Sequence, residues 1–253
     1  MRLRASLALL AALIGFGVMP ARAETTPDQK REIERIVRDY ILTNPEVIEK
    51  ALMALEEKRR EEERAAQAKA VTELRDQIVN SQHQAVVGNP KGAVTVVEFF
   101  DYNCGYCKRA LGDMLALADS NPDLRIVMKE FPILSEGSVE AARISVAVKD
   151  IAPKSYLDFH SELLTRPGPA DRAKAVQVAR DLGLDVAALE KAAQERSVQE
   201  NLVEVQQLAR ALGISGTPTY VVGEELVFGA VGFDELQQKI AAERESCKAE
   251  TTC

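Results

Sequence analysis

Residues 94–107 read VTVVEFFDYNCGYC, and this stretch decides the fold. Positions 94–100 are apolar or β-branched except for one acid, Glu98, which predicts a buried strand. The next three positions form a predicted turn, and a helical pattern follows from residue 108. Cys104 and Cys107 therefore lie where a buried strand gives way to a helix.

The predicted position of Cys104 favours its reactive form. Unpaired backbone N–H groups and the helix dipole stabilise an anion at a helix N-terminus, and the thiolate is the nucleophilic form of cysteine. Cys107 lies one helical turn further on, close enough to close a disulfide with Cys104. The pair predicts a reversible two-electron switch, with Cys104 as the exposed nucleophile and Cys107 as the buried resolving thiol.

The cysteine pair has two other interpretations. A zinc site normally has four ligands, whereas the remaining candidate ligands are scattered at Cys247, Cys253, His83 and His160. A purely structural disulfide would close a loop so short that it constrains the unfolded chain little. A CxxC motif between a strand and a helix is instead typical of a thioredoxin-like redox site. We therefore expect redox chemistry without a metal or other cofactor.

Residues 1–23 have the pattern of a cleavable signal peptide. Arg2 and Arg4 precede an apolar run that ends at Met19, and the residues up to Ala23 fit a small-residue cleavage site. The apolar run is too short for a comfortable membrane span. We expect cleavage after Ala23, export to the oxidising periplasm and no stable membrane insertion.

The composition is acidic, with 32 Lys+Arg against 39 Asp+Glu and a formal net charge of −7. Removing residues 1–23 takes away Arg2, Arg4 and Arg22 and no acid, which leaves about −10 by the same count. An acidic chain without a basic patch argues against nucleic acid and anionic membrane surfaces as partners. We therefore expect no nucleic-acid partner.

Two short amphipathic helices are predicted at the start of the mature chain, over residues 24–55. Thr26-Pro27 and Asn44-Pro45 each provide a helix cap and a first helical position. Apolar residues recur at helical spacing in two stripes, formed by Ile33, Ile36, Val37, Tyr40 and Ile41 and by Val47, Ile48, Ala51, Leu52 and Leu55. Helices this short bury little alone, so they need the main domain or further copies of themselves as a partner.

A charged helical connector is predicted over residues 56–84. Residues 56–64 include no apolar side chain and carry opposite charges at i, i+4 spacing, which supports an exposed helix. Val71, Leu74 and Ile78 do not continue the earlier stripe, which disfavours a continuous coiled coil. We expect a solvated connector, with the exposed face of a packed helix as the alternative.

The main domain is predicted over residues 85–247, followed by a C-terminal tail over 248–253. Strand patterns lie at 94–100, 124–131, 219–222 and 225–228, and the last two form a hairpin around Gly223. Helical patterns fill the region between the second strand and the hairpin, and a closing helix follows. This order predicts an α/β thioredoxin fold with a helical insertion at about 137–197, preceded by the N-terminal helical segment.

Three motifs make the main domain resemble the DsbA-like branch of the thioredoxin-fold proteins. They are FFDYNCGYC at 99–107, KEFPIL at 129–134 and GTPT at 216–219. The N-terminal segment over 36–55 is similar to the oligomerisation segment of the suppressor-of-copper-sensitivity C (ScsC) proteins, which are exported DsbA relatives. This second resemblance implies a homo-oligomer, a trimer, formed through residues 27–55.

The resemblance also assigns roles to residues near the cysteines. It implies that Pro218 is cis and lies against the CxxC motif, so that the backbone of Thr217 can pair with an extended substrate. It implies that Glu98 is buried and carries the proton of the second cysteine, whereas the residues alone leave an exposed edge position open. Lys129 is the candidate cationic partner of Glu98.

Gly105 and Tyr106, between the cysteines, are expected to tune the redox couple and to contact substrate. They lack the histidine that makes DsbA strongly oxidising, and together with Thr217 they resemble the disulfide isomerase DsbC. We therefore expect a couple more reducing than about −120 mV, the value for DsbA. The predicted function is an exported disulfide isomerase or reductase that acts on cysteine-containing proteins, with a membrane thiol-disulfide reductase or oxidase as redox partner.

Two alternative functions stay open. The first is a monomeric DsbA-like dithiol oxidase, and the second is a periplasmic copper-binding, copper-tolerance protein without turnover, because thiols are soft ligands for monovalent copper.

Several other residues receive no firm role. His160 is expected to be a helix residue of the insertion without chemistry. Cys247 and Cys253 are expected to form a second disulfide, free thiols or a metal-binding tail. Phe100 and Tyr102 either contribute to an apolar patch around the cysteines or belong to the core.

Overall fold

The computed structural model describes residues 25–249, so the predicted signal peptide and most of the predicted tail lie outside the described residues. The chain divides into two compact units, with the boundary between Lys58 and Arg59. Among the described helices, none is long and apolar enough to cross a membrane.

The first unit consists of helix α1 (Pro27–Thr43) and the start of helix α2 (Glu46–Glu73). Thr26 caps α1 as predicted, because its hydroxyl accepts from the backbone N–H of Gln29 while the Gln29 side chain accepts from the N–H of Thr26. Asn44 behaves differently from the prediction. Its side-chain amide donates to the carbonyl of Tyr40, so Asn44 ends α1 by capping it.

The apolar stripes of the first unit are open to solvent in this single chain. No residue of α1 is buried, and Ile36 and Tyr40 are 55% and 57% exposed. The exposed stripe continues along α2 through Val47, Ile48, Leu52, Met53 and Leu55. A stripe this extensive on a charged helix is typical of a surface that another helix covers.

The second unit contains a five-stranded sheet in the order β1-β3-β2-β4-β5. Strands β2 and β3 are parallel, and the other neighbours are antiparallel. The strands span β1 (Ala85–Gly88), β2 (Val94–Phe100), β3 (Leu124–Glu130), β4 (Thr219–Val222) and β5 (Glu225–Phe228). The sequence predicts all of them except β1, a short edge strand with little pattern of its own.

The helices of the second unit pack on the sheet or on one another. They are α3 (Arg75–Val79), α4 (Gly105–Ser120), α5 (Glu136–Ile151), α6 (Tyr156–Thr165), α7 (Arg172–Asp181), α8 (Val186–Ala192), α9 (Arg196–Ala211) and α10 (Phe233–Ala249). A helical block from α5 to α9 lies between β3 and β4. The predicted insertion at about 137–197 covers α5 to α8 and ends as α9 begins. This order and sheet topology confirm the thioredoxin fold with an inserted helical subdomain and a preceding helical segment.

The two faces of β2 lie in two different hydrophobic clusters. Val96 and Phe100 pack in the cluster that includes α4, α10 and much of the insertion, whereas Val97 and Phe99 pack in the opposite cluster with α9. This division follows from the alternation of side chains along a strand. Because β2 is central and buried on both faces, the CxxC motif at its end is held on a rigid element.

The predicted connector over 56–84 is solvated only in its first part. Residues 56–64 are exposed, but Val71 and Ile78 are almost fully buried and pack with Val97, Phe99 and Leu208 on the second face of the sheet. The apolar register breaks before Val71 because the apolar residues from Val71 onward pack against the sheet and not in the stripe of the N-terminal helices.

We expect Ile78→Ala to destabilise the protein by about 2–5 kcal/mol, because it leaves a cavity in a packed cluster. Ile151→Ala is the matched control, since Ile151 is 48% exposed while Ile78 is 0% exposed. Urea unfolding followed by circular dichroism measures both. Equal and small losses in the two variants would contradict the packing of residues 71–79 on the sheet.

Candidate active site

Cys104 is the N-cap residue of α4. Strand β2 ends at Phe100, a short turn follows, and the backbone N–H of Cys104 donates to the carbonyl of Asp101 at 3.0 Å. The Cys104 sulfur accepts a hydrogen bond from the backbone N–H of Cys107 at 3.4 Å. The sulfur thus occupies the place where a helix N-terminus stabilises a negative charge, as the sequence predicts.

The two thiols are free and differ little in accessibility. Cys104 is 5% exposed and Cys107 is 1% exposed, so the expectation of an exposed nucleophile is wrong. The reason is the segment before β4: the Cys104 thiol donates to the carbonyl of Thr217 at 3.1 Å. Gly105 and Tyr106, by contrast, are exposed, and they form the outer surface of the motif.

The Thr217–Pro218 peptide bond is cis, as predicted. The loop that contains it is held by hydrogen bonds from Thr219 Oγ1 to the carbonyl of Gly216 and from the N–H of Gly229 to the carbonyl of Pro218. The hydroxyl of Thr217 is buried and has no hydrogen-bond partner in the described part of the chain. A buried hydroxyl without a hydrogen-bond partner costs folding free energy.

Glu98 lies on the same face of β2 as Val96, beneath α4. It is 4% exposed, and the cavity around its carboxyl is lined by apolar side chains with Tyr220. Burial raises the pKa of Glu98 to about 8. Burial also raises the pKa of the Cys107 thiol, and the nearby Glu98 carboxylate raises it further. Burial therefore disfavours the anionic form of both groups.

Lys129 is not the partner of Glu98. In the parallel pair of β2 and β3, Glu98 lies opposite Met128 and Phe99 lies opposite Lys129, so Lys129 points to the other face of the sheet. Its ammonium donates to the carbonyl of Gln77 at 3.0 Å, and burial lowers its pKa to about 8. The alternation of strand residues, applied to both strands, excludes the pairing.

A second buried acid, Glu130, lies on the Glu98 face, and the sequence analysis does not identify it. Burial raises its pKa to about 8. The hydroxyls of Tyr102 and Tyr156 approach its Oε1 at 3.4 and 3.5 Å, which is long for a hydrogen bond. The sequence gives no comparable signal at Glu130, because β3 also carries Arg125 and Lys129 and is not an apolar run with a single acid.

Tyr102 connects this acid to the insertion. Its hydroxyl lies 2.6 Å from Ser145 Oγ and 3.1 Å from His160 Nδ1. Burial lowers the pKa of His160 to about 3, so its ring is neutral at pH 7. Phe100 and Tyr102 are both fully buried, so they belong to the core and not to a surface patch.

Among the described residues, no group of three or more His, Cys, Asp or Glu side chains could hold a metal ion. Cys247 is disulfide-bonded, and Cys253 lies outside the described residues.

The raised pKa values of Glu98 and Glu130 make stability depend on pH. The folded chain holds both protons up to about pH 8, whereas an unfolded carboxyl releases its proton near a pKa of about 4.3. The stabilisation is therefore complete below that unfolded value and is lost as pH rises through 8. Between these limits each group contributes a slope of at most about 1.4 kcal/mol per pH unit.

We expect Glu98→Gln to flatten this pH dependence, because the amide stays neutral in both states. Urea unfolding between about pH 5 and pH 8 measures the slope. Glu61→Gln, at an exposed position of α2, is the control and should leave the slope unchanged. A slope for Glu98→Gln as steep as that of the natural chain would show that Glu98 titrates normally.

Known proteins resemble this chain in both of its parts. Residues 95–241 match the DsbA-like thioredoxin domain family, and residues 29–62 match the N-terminal domain of the copper resistance protein ScsC. A thioredoxin-like oxidoreductase from Silicibacter pomeroyi is 40% identical, with a TM-score of 0.65 over 68% of this chain and 98% of that chain. A linker-deletion variant of Proteus mirabilis ScsC is 26% identical, with a TM-score of 0.67 over 89% of this chain and 100% of that chain.

Curated relatives match part of the chain at lower identity. Disulfide bond formation protein D of Bacillus subtilis is 27% identical over 173 residues, which are 63% of this chain and 77% of that protein. The Na(+)/H(+) antiporter NhaA of Herminiimonas arsenicoxydans is 29% identical over 145 residues, but the match spans only 23% of the antiporter. With the CxxC motif at the helix N-terminus and a family match over more than half of its length, the chain belongs to the DsbA-like thioredoxin-domain family and carries an ScsC-type N-terminal domain.

Proposed function

We propose that this protein is a periplasmic disulfide isomerase or reductase that acts on cysteine-containing proteins. One observation carries the proposal: the Cys104 sulfur lies at the N-terminus of α4, against the cis-Pro218 loop, with Cys107 and the buried Glu98 behind it. Membership of a thiol-disulfide oxidoreductase family supports the reaction class. The predicted signal peptide supports export.

The proposed reaction begins with the Cys104 thiolate, which attacks one sulfur of a substrate disulfide. A mixed disulfide forms, the substrate S–S bond breaks, and the second substrate sulfur leaves as a thiolate that takes up a proton. In an isomerase this freed thiolate attacks another disulfide of the same substrate, and a final attack on the mixed disulfide returns Cys104 as a thiolate. The number of disulfides is then unchanged.

In the reductase branch, Cys107 attacks the Cys104 sulfur instead. Glu98 in its ionised form accepts the Cys107 proton, and the Cys104–Cys107 bond forms as the bond between Cys104 and the substrate breaks. The substrate sulfur leaves as a thiolate that takes up a proton. Two electrons have then moved from the protein to the substrate, so a membrane thiol-disulfide partner must reduce the pair again. Glu98 is suited to this transfer because burial raises both its pKa and that of Cys107.

Thr217 and Pro218 are the proposed substrate-binding residues, together with the exposed Gly105 and Tyr106. The carbonyl of Thr217 lies 3.1 Å from the Cys104 sulfur, so a chain that pairs with this carbonyl brings its own sulfur close to Cys104. The absence of a histidine between the cysteines supports a couple more reducing than that of DsbA.

The N-terminal helices are the proposed oligomerisation surface. Their apolar stripe is largely exposed in the single chain, and the ScsC match covers residues 29–62. A homotrimer would place several reduced sites around one substrate and raise the local thiol concentration. This arrangement favours isomerisation over simple oxidation.

A copper-binding role without turnover is the second candidate, favoured by the name of the matching N-terminal domain. Cys104 and Cys107 would be the soft ligands. Tight copper(I) binding by a protein without thiol-disulfide exchange would select this alternative.

The roles of the two cysteines predict opposite behaviour for two variants. Reduced Cys107→Ser should accumulate a mixed disulfide with a disulfide-bonded substrate protein, because it lacks the resolving thiol that would release the substrate. Cys104→Ser should form none. Non-reducing electrophoresis followed by mass spectrometry measures the adduct, and an adduct formed through Cys107 alone would reverse the assignment.

If the N-terminal helices form the oligomer, a charge placed in their apolar stripe should change the activity of the protein. Ile36→Glu should give a monomer, lose reactivation of scrambled ribonuclease and gain oxidation of a dithiol peptide. Arg38→Glu is the control, since it adds a glutamate to the same helix outside the stripe. Light scattering gives the mass, and full isomerase activity in a monomeric Ile36→Glu protein would contradict the proposal.

A further inference from the structure

The turn between β2 and Cys104 makes hydrogen bonds to the helical insertion and the loop that leads into it. Asp101 accepts from the backbone N–H groups of Ile133 and Leu134 at 2.8 and 3.0 Å, in the loop between β3 and α5. Its other oxygen accepts from the N–H of Asn103 at 2.7 Å. The turn therefore closes on itself through Asp101 and is fixed to the start of the insertion.

Asn103, the residue immediately before Cys104, makes the longest connection. Its side-chain N–H donates to the carbonyl of Ala170 at 2.8 Å, and its side-chain carbonyl accepts from the N–H of Ala170 at 2.6 Å. The amide also donates to Ser138 Oγ at 2.9 Å, in the first turn of α5. Asn103 thus pairs with both backbone groups of a residue 67 positions away in sequence.

The insertion leaves no free space at this junction. A Cβ added at Gly137 would lie 2.8 Å from the carbonyl oxygen of Ala170, a shorter distance than Cβ atoms in proteins keep from other heavy atoms. Ala170 and Ser138 are themselves almost fully buried. The first turn of α5 and the segment at Ala170 are therefore in direct contact, and Asn103 bonds to both.

We infer that Asn103 is a positioning residue, through which the helical insertion sets the place of the Cys104 sulfur at the N-terminus of α4. The functional importance of this role rests on the proposed function, whereas the hydrogen bonds of Asn103 do not. The chain from Asn103 to Cys104 is a single peptide unit, so a displaced Asn103 moves the sulfur relative to the N–H of Cys107 and the carbonyl of Thr217. A change in the hydrogen bonds between the insertion and Asn103 therefore changes the hydrogen bonds that the Cys104 sulfur makes.

The chemistry of the amide explains why asparagine suits this position. Both a donor and an acceptor are needed to pair with Ala170. Aspartate keeps the acceptor, loses the donors and places a negative charge 2.8 to 2.9 Å from two oxygen acceptors. Alanine loses both functions without adding a charge. The two substitutions therefore separate lost hydrogen bonds from added repulsion.

The test measures the rate at which iodoacetamide alkylates Cys104 as a function of pH, in the full mature chain with both cysteines reduced. We expect Asn103→Asp and Asn103→Ala to slow alkylation at neutral pH by up to about tenfold, within the stabilisation that a helix N-terminus gives a negative charge. Their pH profiles should move to higher pH, because the sulfur loses part of its helix N-terminal stabilisation.

Gly137→Ala disturbs the same junction from the insertion side and leaves the turn itself unchanged. It should change the pH profile in the same direction, although alanine is a better helix residue than glycine. Asn121→Ala is the matched control: Asn121 caps the other end of α4 and accepts from Arg244. This variant should lose thermal stability without changing the pH profile.

Unchanged alkylation profiles in the Asn103 variants and in Gly137→Ala would overturn the inference, whatever their stability. If the Asn103 variants do not fold, Gly137→Ala decides alone. Alkylation requires no protein substrate and no exchange activity. A protein that proves inactive in isomerase and reductase assays would therefore defeat the proposed function and leave this inference to be decided by the alkylation data.

Discussion

The sulfur of Cys104 at the N-terminus of α4 is the arrangement on which the rest of the site depends. A buried strand must end one short turn before the helix begins, so that the N–H of Cys107 points at the sulfur. The central position of β2, with a hydrophobic cluster on each face, holds that point rigidly. The proline loop then contacts the sulfur through the carbonyl of Thr217, and the helical insertion contacts the neighbouring Asn103.

Burial gives the site its electrostatic character. Glu98 and Glu130 lie on the same face of neighbouring strands, two residues apart in register, and neither has a cationic partner within residues 25–249. Each carboxyl therefore stays protonated well above its usual range, because desolvation disfavours the anion. The fold retains these acids at a cost in stability near neutral pH, which is typical of groups kept for chemistry or for positioning.

The fold and the centre of the site could be predicted from local patterns. The strand and helix around Cys104 and the hairpin after Pro218 follow from hydrophobic periodicity and turn residues, whereas the burial of Glu98 is implied by the resemblance to the DsbA-like proteins. Other features depend on the face of the sheet on which a side chain lies in the folded protein. Lys129 lies on the face opposite to the predicted one, and the burial of Val71 and Ile78 requires a sheet that the connector's own sequence does not show. The bonds from Asn103 to Ala170 join distant positions, so no local pattern could reveal them.

The hydrogen bond from the Cys104 thiol to the carbonyl of Thr217 bears on the order of events. In the free protein that carbonyl is already occupied, and the sulfur is covered by the loop that carries it. A substrate backbone N–H that takes the carbonyl removes the acceptor of the thiol proton at the same moment. Under the proposed function, docking of a substrate and release of the nucleophile are then coupled.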